Sequence, residues 1–105
     1  MSVAHKNGFK IPNAIKSLCW SVNGVIDLKS NAEYIIHQVL ALGDIQDIEW
    51  LFQVYDRVKI EDAFLHSNYG KGLYIKSVLN FLTKFIFKNL EISKNKYNQM
   101  LKKVY

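Results

Sequence analysis

A chain of 105 residues, half of them hydrophobic and 22% charged, has the composition of one ordinary globular domain and leaves little room for a deep enclosed active site. Its single cysteine, Cys19, excludes an internal disulfide, and its strongest apolar run, from Val78 to Phe87, falls far short of the roughly 18 to 20 residues a bilayer-spanning helix needs. The formal charge of +5 is unevenly placed: residues 68 to 105 carry eight lysines against the one acid Glu91, whereas residues 1 to 67 carry six Lys/Arg against eight Asp/Glu.

The first residues lack the charged-then-apolar layout of a signal peptide, so a reducing, cytoplasmic, non-membrane setting is expected. A cationic C-terminal third attracts nucleic acid, an anionic membrane surface or an acidic protein through fields that weaken with salt, and the reading as a solvated face stands beside it.

Residues 1 to 30 contain Gly8, Pro12, Asn23 and Gly24, too many turn-formers for a long helix. The expectation is an extended N-terminal arm over residues 1–30, followed by a helical domain over residues 31–105. Leu18, Cys19, Trp20 and Val22 form an apolar cluster that makes a short strand or pins the arm to the helical body, with Trp20 as a core anchor.

Ser30 to Glu33 has the S-x-x-E spacing of a capping box, which predicts a helix starting there. Ile35, Ile36, Val39, Leu40 and Leu42 continue it, and Gly43 is placed to end it in the left-handed conformation. Asp44 then caps a second helix whose stripe is Ile45, Ile48, Leu51, Phe52 and Tyr55, with Asp47 and Glu49 near its positive end.

A third, shorter helix is expected from Lys59 to Ser67 on Ile60, Ala63 and Phe64, and Asn68 to Gly72 breaks the chain. The G-x-G in that loop lacks the third glycine of a dinucleotide fingerprint and reads as a turn. A fourth helix, Leu73 to Asn89, puts Tyr74, Ile75, Val78, Leu79, Phe81, Leu82, Phe85 and Ile86 on one broad face at about 100° per residue. Phe87 falls among the polar residues, either by the accident of a helix end or as an apolar contact point within a basic surface. A last helix from Lys94 to Val104 follows Tyr97, Met100, Leu101 and Val104. The expected fold is therefore all-α: a bundle of four to five short helices with an extended arm.

Catalytic candidates are few. His5, His37 and His66 share no metal-ligand spacing, Cys19 between Leu18 and Trp20 reads as a small buried hydrophobe, and Asp44, Asp47 and Glu49 are explained by helix starts. Arg57 and His66 do not match the compact Arg-to-His spacing of some helical ribonucleases. The expectation is no enzyme activity, no metal and no cofactor.

The series Leu18-Cys19-Trp20-Ser21-Val22, then Tyr34 through Leu40, Gly43-Asp44, Trp50-Leu51 and Tyr55, resembles a family of short uncharacterised bacterial proteins. Their pattern is an "FWD"-like segment, an "I-I-x-x-V-L-x-x-G-D" helix end and a "W-L" helix, and the match covers about residues 15 to 87. Cys19-Trp20-Ser21 departs from the first motif by losing an aromatic and an acid. The resemblance implies a small helical accessory module, antitoxin-like, with a nucleotidyltransferase-type toxin as partner. It supplies no catalytic residues.

Two functions follow as expectations. One is a non-enzymatic protein-interaction module that meets an acidic surface, such as a toxin's, through Lys76, Lys84, Phe87, Lys88, Lys94, Lys96, Lys102 and Lys103; a homodimer is compatible with the apolar breadth of the fourth helix. The other is a small DNA-binding regulator, using the helix-turn-helix-sized segment Ile45 to Ser67 or the lysine-rich C-terminal helix. Glu61 and Asp62 would meet phosphate repulsion in the first variant, and the lysines suit phosphates rather than bases.

Overall fold

A computed structural model describes residues 12–19, 27–67, 69 and 71–102. Among these residues the chain forms helices α1 (Asn13–Leu18), α2 (Ala32–Leu42), α3 (Ile45–Val54), α4 (Arg57–His66), α5 (Lys76–Phe81) and α6 (Lys94–Met100), and α5 runs on into a π-helical turn over Leu82–Ile86. The architecture is an all-α bundle of six short helices. Trp20, Val22, His5 and Lys103 lie outside the described residues.

The bundle is organised around α2. Every residue from Ala32 to Ala41 except Glu33 is buried, and α2 packs against α1, α3 and α4. A helix buried nearly all round, its polar His37 and Gln38 hydrogen-bonded inside, has no solvent face to offer and takes the centre of a small fold. Ile35, Ile36, Val39 and Leu40 are wholly buried there.

The expected extended arm contains a helix. Pro12 precedes α1, whose Ile15, with Cys19 just after it, is buried in the core; α1 packs on α2, and Gln38 Nε2 donates to the Leu18 carbonyl at 2.5 Å. Ile15, Leu18 and Cys19 supply the i, i+3, i+4 spacing that lets one short helix bury a face.

The start of α2 also differs from the expected capping box. Asn31 precedes the helix, and neither Ser30 nor Glu33 caps it. Asp27 takes that organising role instead: its Oδ2 accepts from the amides of Lys29 and Ser30, and its own amide donates to Asn31 Oδ1 at 2.8 Å. The Tyr55 hydroxyl fastens this turn from α3, donating to the Leu28 carbonyl at 2.5 Å.

Asp44 caps α3 as expected, in a reciprocal box with Asp47: the Asp47 amide donates to Asp44 Oδ1 at 2.9 Å and the Asp44 amide to Asp47 Oδ2 at 3.0 Å. Gly43 is not left-handed; its φ is −80°. Glycine is required there by close approach, because a Cβ would stand 2.7 Å from the Val39 carbonyl oxygen and 2.9 Å from Asp47 Cβ.

The largest departure is in the fourth expected helix. Leu73 ends a turn and Tyr74 forms an isolated parallel bridge with Leu101, strapped to the end of α6: the Tyr74 amide donates to the Met100 carbonyl at 3.1 Å, and the Lys102 amide to the Tyr74 carbonyl at 2.6 Å. Helix α6 therefore ends at Met100 rather than Val104. The π-helical turn then resets the face of the helix. The Phe87 amide bonds the Leu82 carbonyl, five residues back, at 2.7 Å. In an unbroken α-helix Phe87 would lie about 140° from Leu82 at ~100° per residue; here both are wholly buried, and Phe85, expected in the core, is 68% exposed.

Candidate functional site

Phe87 is no surface contact point. Its ring stacks on Phe64 of α4 at 4.5 Å and meets Phe52 of α3 at 6.3 Å, so it closes the core between α3, α4 and the π-turn. Tertiary packing claims Leu82 and Phe87 together, and the π-turn is the backbone change that delivers both.

The same change turns Phe85 outward onto a groove of about 570 Å³ between α3 and the π-turn, lined among others by Ile45, Ile48, Phe52, Arg57, Phe85 and Ile86. Ile45 is 52% exposed and Phe85 68%. Arg57 fixes the far side of the groove. Its Nη2 donates to the Ile86 carbonyl at 2.7 Å, its Nε to Glu61 Oε2 at 2.8 Å, and its guanidinium lies 5.5 Å from the Phe52 ring centre. The groove floor is thus set by packing and hydrogen bonding before anything binds, while Ile45 and Phe85 face water.

The lysines expected at the site do not converge. Lys76, Lys84, Lys88, Lys94 and Lys102 are exposed and Lys96 is half-buried, distributed over α5, the π-turn, the α5–α6 connection and α6. Lys84 and Lys88 bracket the segment that exposes Phe85. Lys102 lines a crevice of about 560 Å³ with Lys71, Gly72 and Gln99, and Lys96 lines a neighbouring one with His66 and Lys71. Lys71 was not among the expected contact residues, although the loop carrying it stood out in the sequence. Groove residues Ile45 and Phe85 were read as core; neither periodicity nor composition distinguishes them from truly buried neighbours.

The candidate chemical groups are engaged in structure. His37 is buried, its Nε2 donating to the Ala63 carbonyl at 2.8 Å. That carbonyl can only accept, so Nε2 carries the proton and Nδ1 accepts from the Tyr74 hydroxyl at 2.6 Å. Burial lowers the His37 pKa to about 4, the Ala63 bond opposing this and Lys96 adding to it, so the ring is neutral at pH 7. Burial likewise pushes the Cys19 thiol up to about 11, leaving it a poor nucleophile. His66 lies 4.0 Å from Asp62, with both side chains mostly exposed. Among the described residues no group of three or more His, Cys, Asp or Glu is arranged to hold a metal ion, and no helix is long and apolar enough to cross a membrane.

Among the described residues the fold and these surfaces define a small all-α bundle with an apolar groove beside the π-turn and lysine-lined crevices near α6. Over residues 17–64 the chain is similar to DUF6922, a family of unknown function. No curated protein and no solved structure matches the chain. The matched segment runs from the end of α1 through most of α4, so it carries the Ile45, Phe52 and Arg57 side of the groove, and the π-turn lies beyond it.

Proposed function

We propose that this chain is a non-enzymatic protein-interaction module that holds an amphipathic, acidic helical segment of a partner protein in the groove between α3 and the π-turn. The observation that carries the reading is Phe85: a phenylalanine 68% exposed at the edge of a rigid groove, two residues from one that is wholly buried. Covering Phe85 and Ile45 would each contribute on the order of 2 kcal/mol of apolar burial, the scale of an interface anchor. The groove takes a helix because its apolar residues lie along the 10-residue α3, roughly 15 Å long, which suits anchors spaced by one or two helical turns.

Charge complementarity supplies the sign. Glu49 and Arg57 line the groove itself, and Lys84 and Lys88, which flank Phe85 in sequence outside that lining, are both exposed, so an acidic partner is attracted from the Phe85 side, whereas a second copy of this chain would bring its own lysines against them. The resemblance to short bacterial proteins adds a nucleotidyltransferase-type toxin as the partner to try first, giving the antitoxin-like role. A cytoplasmic setting accompanies that role.

The test is co-purification of the tagged chain with the products of its immediate gene neighbours, followed by sizing in moderate salt. A stoichiometric complex that Phe85→Asp or Ile45→Asp dissolves, with helicity retained, is the expected result. A complex indifferent to both substitutions, or a homodimer that the same substitutions split, would overturn the reading.

A further inference from the structure

Tyr69 lines one lysine-bearing hollow, and Lys71 and Gly72 line others. The first, of about 210 Å³ at the start of α2, is also lined by Lys29 and Lys59. Lys71 lines both the crevice of about 560 Å³ that holds Gly72 and Lys102 and the crevice of about 490 Å³ that holds Ser93 and Lys96. These two share Lys71 and Gln99 in their linings, and Tyr69 is two residues from Lys71 in sequence. Five lysines thus line the three hollows, against Glu33 and Glu91. Among the described residues none of the five is in an ion pair.

Tyr69 and Gly72 are each braced. The Tyr69 ring, 57% exposed, rests against Tyr34 of the central helix at 5.6 Å, and the Tyr69 amide donates to Ser67 Oγ at 3.1 Å. Gly72, at φ +70°, makes the turn into the strap, and its amide donates to the Gln99 carbonyl at 2.9 Å. An exposed aromatic ring is therefore held beside one lysine-lined hollow, two residues in sequence from a lysine that lines the other two.

Such an arrangement matches a chain that alternates negative charge with flat apolar faces. An acidic peptide would use the lysines and ignore the ring; a duplex would meet the lysines with its bases stacked away from Tyr69. The cations are all lysine, which suits phosphate contacts rather than base readout. From this juxtaposition we infer that the hollows lined by Tyr69 and Lys71 bind single-stranded nucleic acid without sequence preference, lysines on the phosphates and Tyr69 under a base. The surface is separate from the Phe85 groove and does not depend on the reading given to it.

Fluorescence anisotropy of labelled oligothymidylate and oligouridylate, each longer than the ~16 nucleotides of large single-fold sites, tests this on the full chain over a series of salt concentrations. Both probes bind at low salt, and the tighter of the two assigns DNA or RNA. Replacing Lys71, Lys96 and Lys102 together by Ala weakens binding at least about tenfold and flattens the log–log salt slope by about 2, since each phosphate contact on a single strand contributes ~0.7. Tyr69→Ala weakens binding about fivefold or more with the slope unchanged, and Phe85→Asp leaves it unaltered. Absence of binding at low salt overturns the inference. So does retention by the triple variant, tighter binding of a duplex of equal length, or polyglutamate binding that competes equally while Tyr69→Ala is neutral.

Discussion

Phe85→Ala and Phe87→Ala make opposite demands on the two ways of continuing α5. In an unbroken α-helix Phe85 follows Leu82 on the buried face and Phe87 faces water, so Phe85→Ala would be the costly change. With the π-turn the order reverses. Phe87 is wholly buried and stacked at 4.5 Å on Phe64, and removing a core phenylalanine costs about 3 to 5 kcal/mol by lost transfer energy and the cavity left behind. Phe85 is 68% exposed, so truncating it changes stability by about 0.5 kcal/mol or less.

A domain of this size is stable by roughly 5 to 15 kcal/mol, so the first change removes a large share and the second almost none. Urea unfolding followed by far-UV circular dichroism at neutral pH reads both, with the denaturant slope checking that the unfolded reference is shared. Arg57→Ala belongs in the same series. It removes the donor to the Ile86 carbonyl at 2.7 Å that ends the turn, at about 1 kcal/mol because the site is half-exposed. A Phe85→Ala cost equal to or above that of Phe87→Ala would refute the π-turn and the groove with it.

Stability should fall with acid through His37. Its folded pKa of about 4 lies below the unfolded 6.5, so its contribution is complete above pH 6.5 and is lost as pH falls towards 4, reaching about 3 kcal/mol. Denaturant midpoints from pH 7.5 to 4 measure this, and His37→Leu, less stable at pH 7 for the stranded Ala63 carbonyl and Tyr74 hydroxyl, should show a shallower fall. Gly43→Ala should cost about 1 to 3 kcal/mol despite an unstrained φ, because its Cβ would meet the Val39 carbonyl at 2.7 Å; a neutral result in the same assay would show that the α2–α3 corner yields. Cys19 should react with a thiol reagent at a small fraction of its rate in denaturant, and equal rates would place the thiol outside the core.

What the sequence made legible was local. Ile35, Ile36, Val39 and Leu40 mark α2 by spacing, and Asp44 marks the start of α3 because its partner Asp47 is three residues away. Signals that depend on distant residues were misread. Phe85, Ile86 and Phe87 are consecutive apolar residues, and nothing local says which of them meets Phe64, about twenty positions earlier. His37 gives no hint in sequence that Ala63 and Tyr74 will take its two nitrogens. In two places local chemistry was present but assigned to the wrong agent: Asp27 organises the turn credited to Ser30, and Gly43 serves close packing rather than a left-handed turn. The Ile15, Leu18 and Cys19 spacing of α1 was visible too, overshadowed by the turn-formers around it.

The π-turn is where stability and the proposed interaction meet. A regular helix would satisfy each backbone bond there while burying Phe85, and the chain instead leaves a large aromatic in water. That exposure forgoes on the order of 2 kcal/mol of burial. The fold recovers it by seating Phe87 among Phe52 and Phe64, and Arg57 holds the turn's last carbonyl from α4. The core therefore locks the turn in a conformation that presents Phe85, and a partner need not pay for ordering the site. It follows that substitutions loosening Phe87 should weaken partner binding beyond their effect on stability, whereas Phe85→Asp should abolish binding while leaving the unfolding midpoint unmoved.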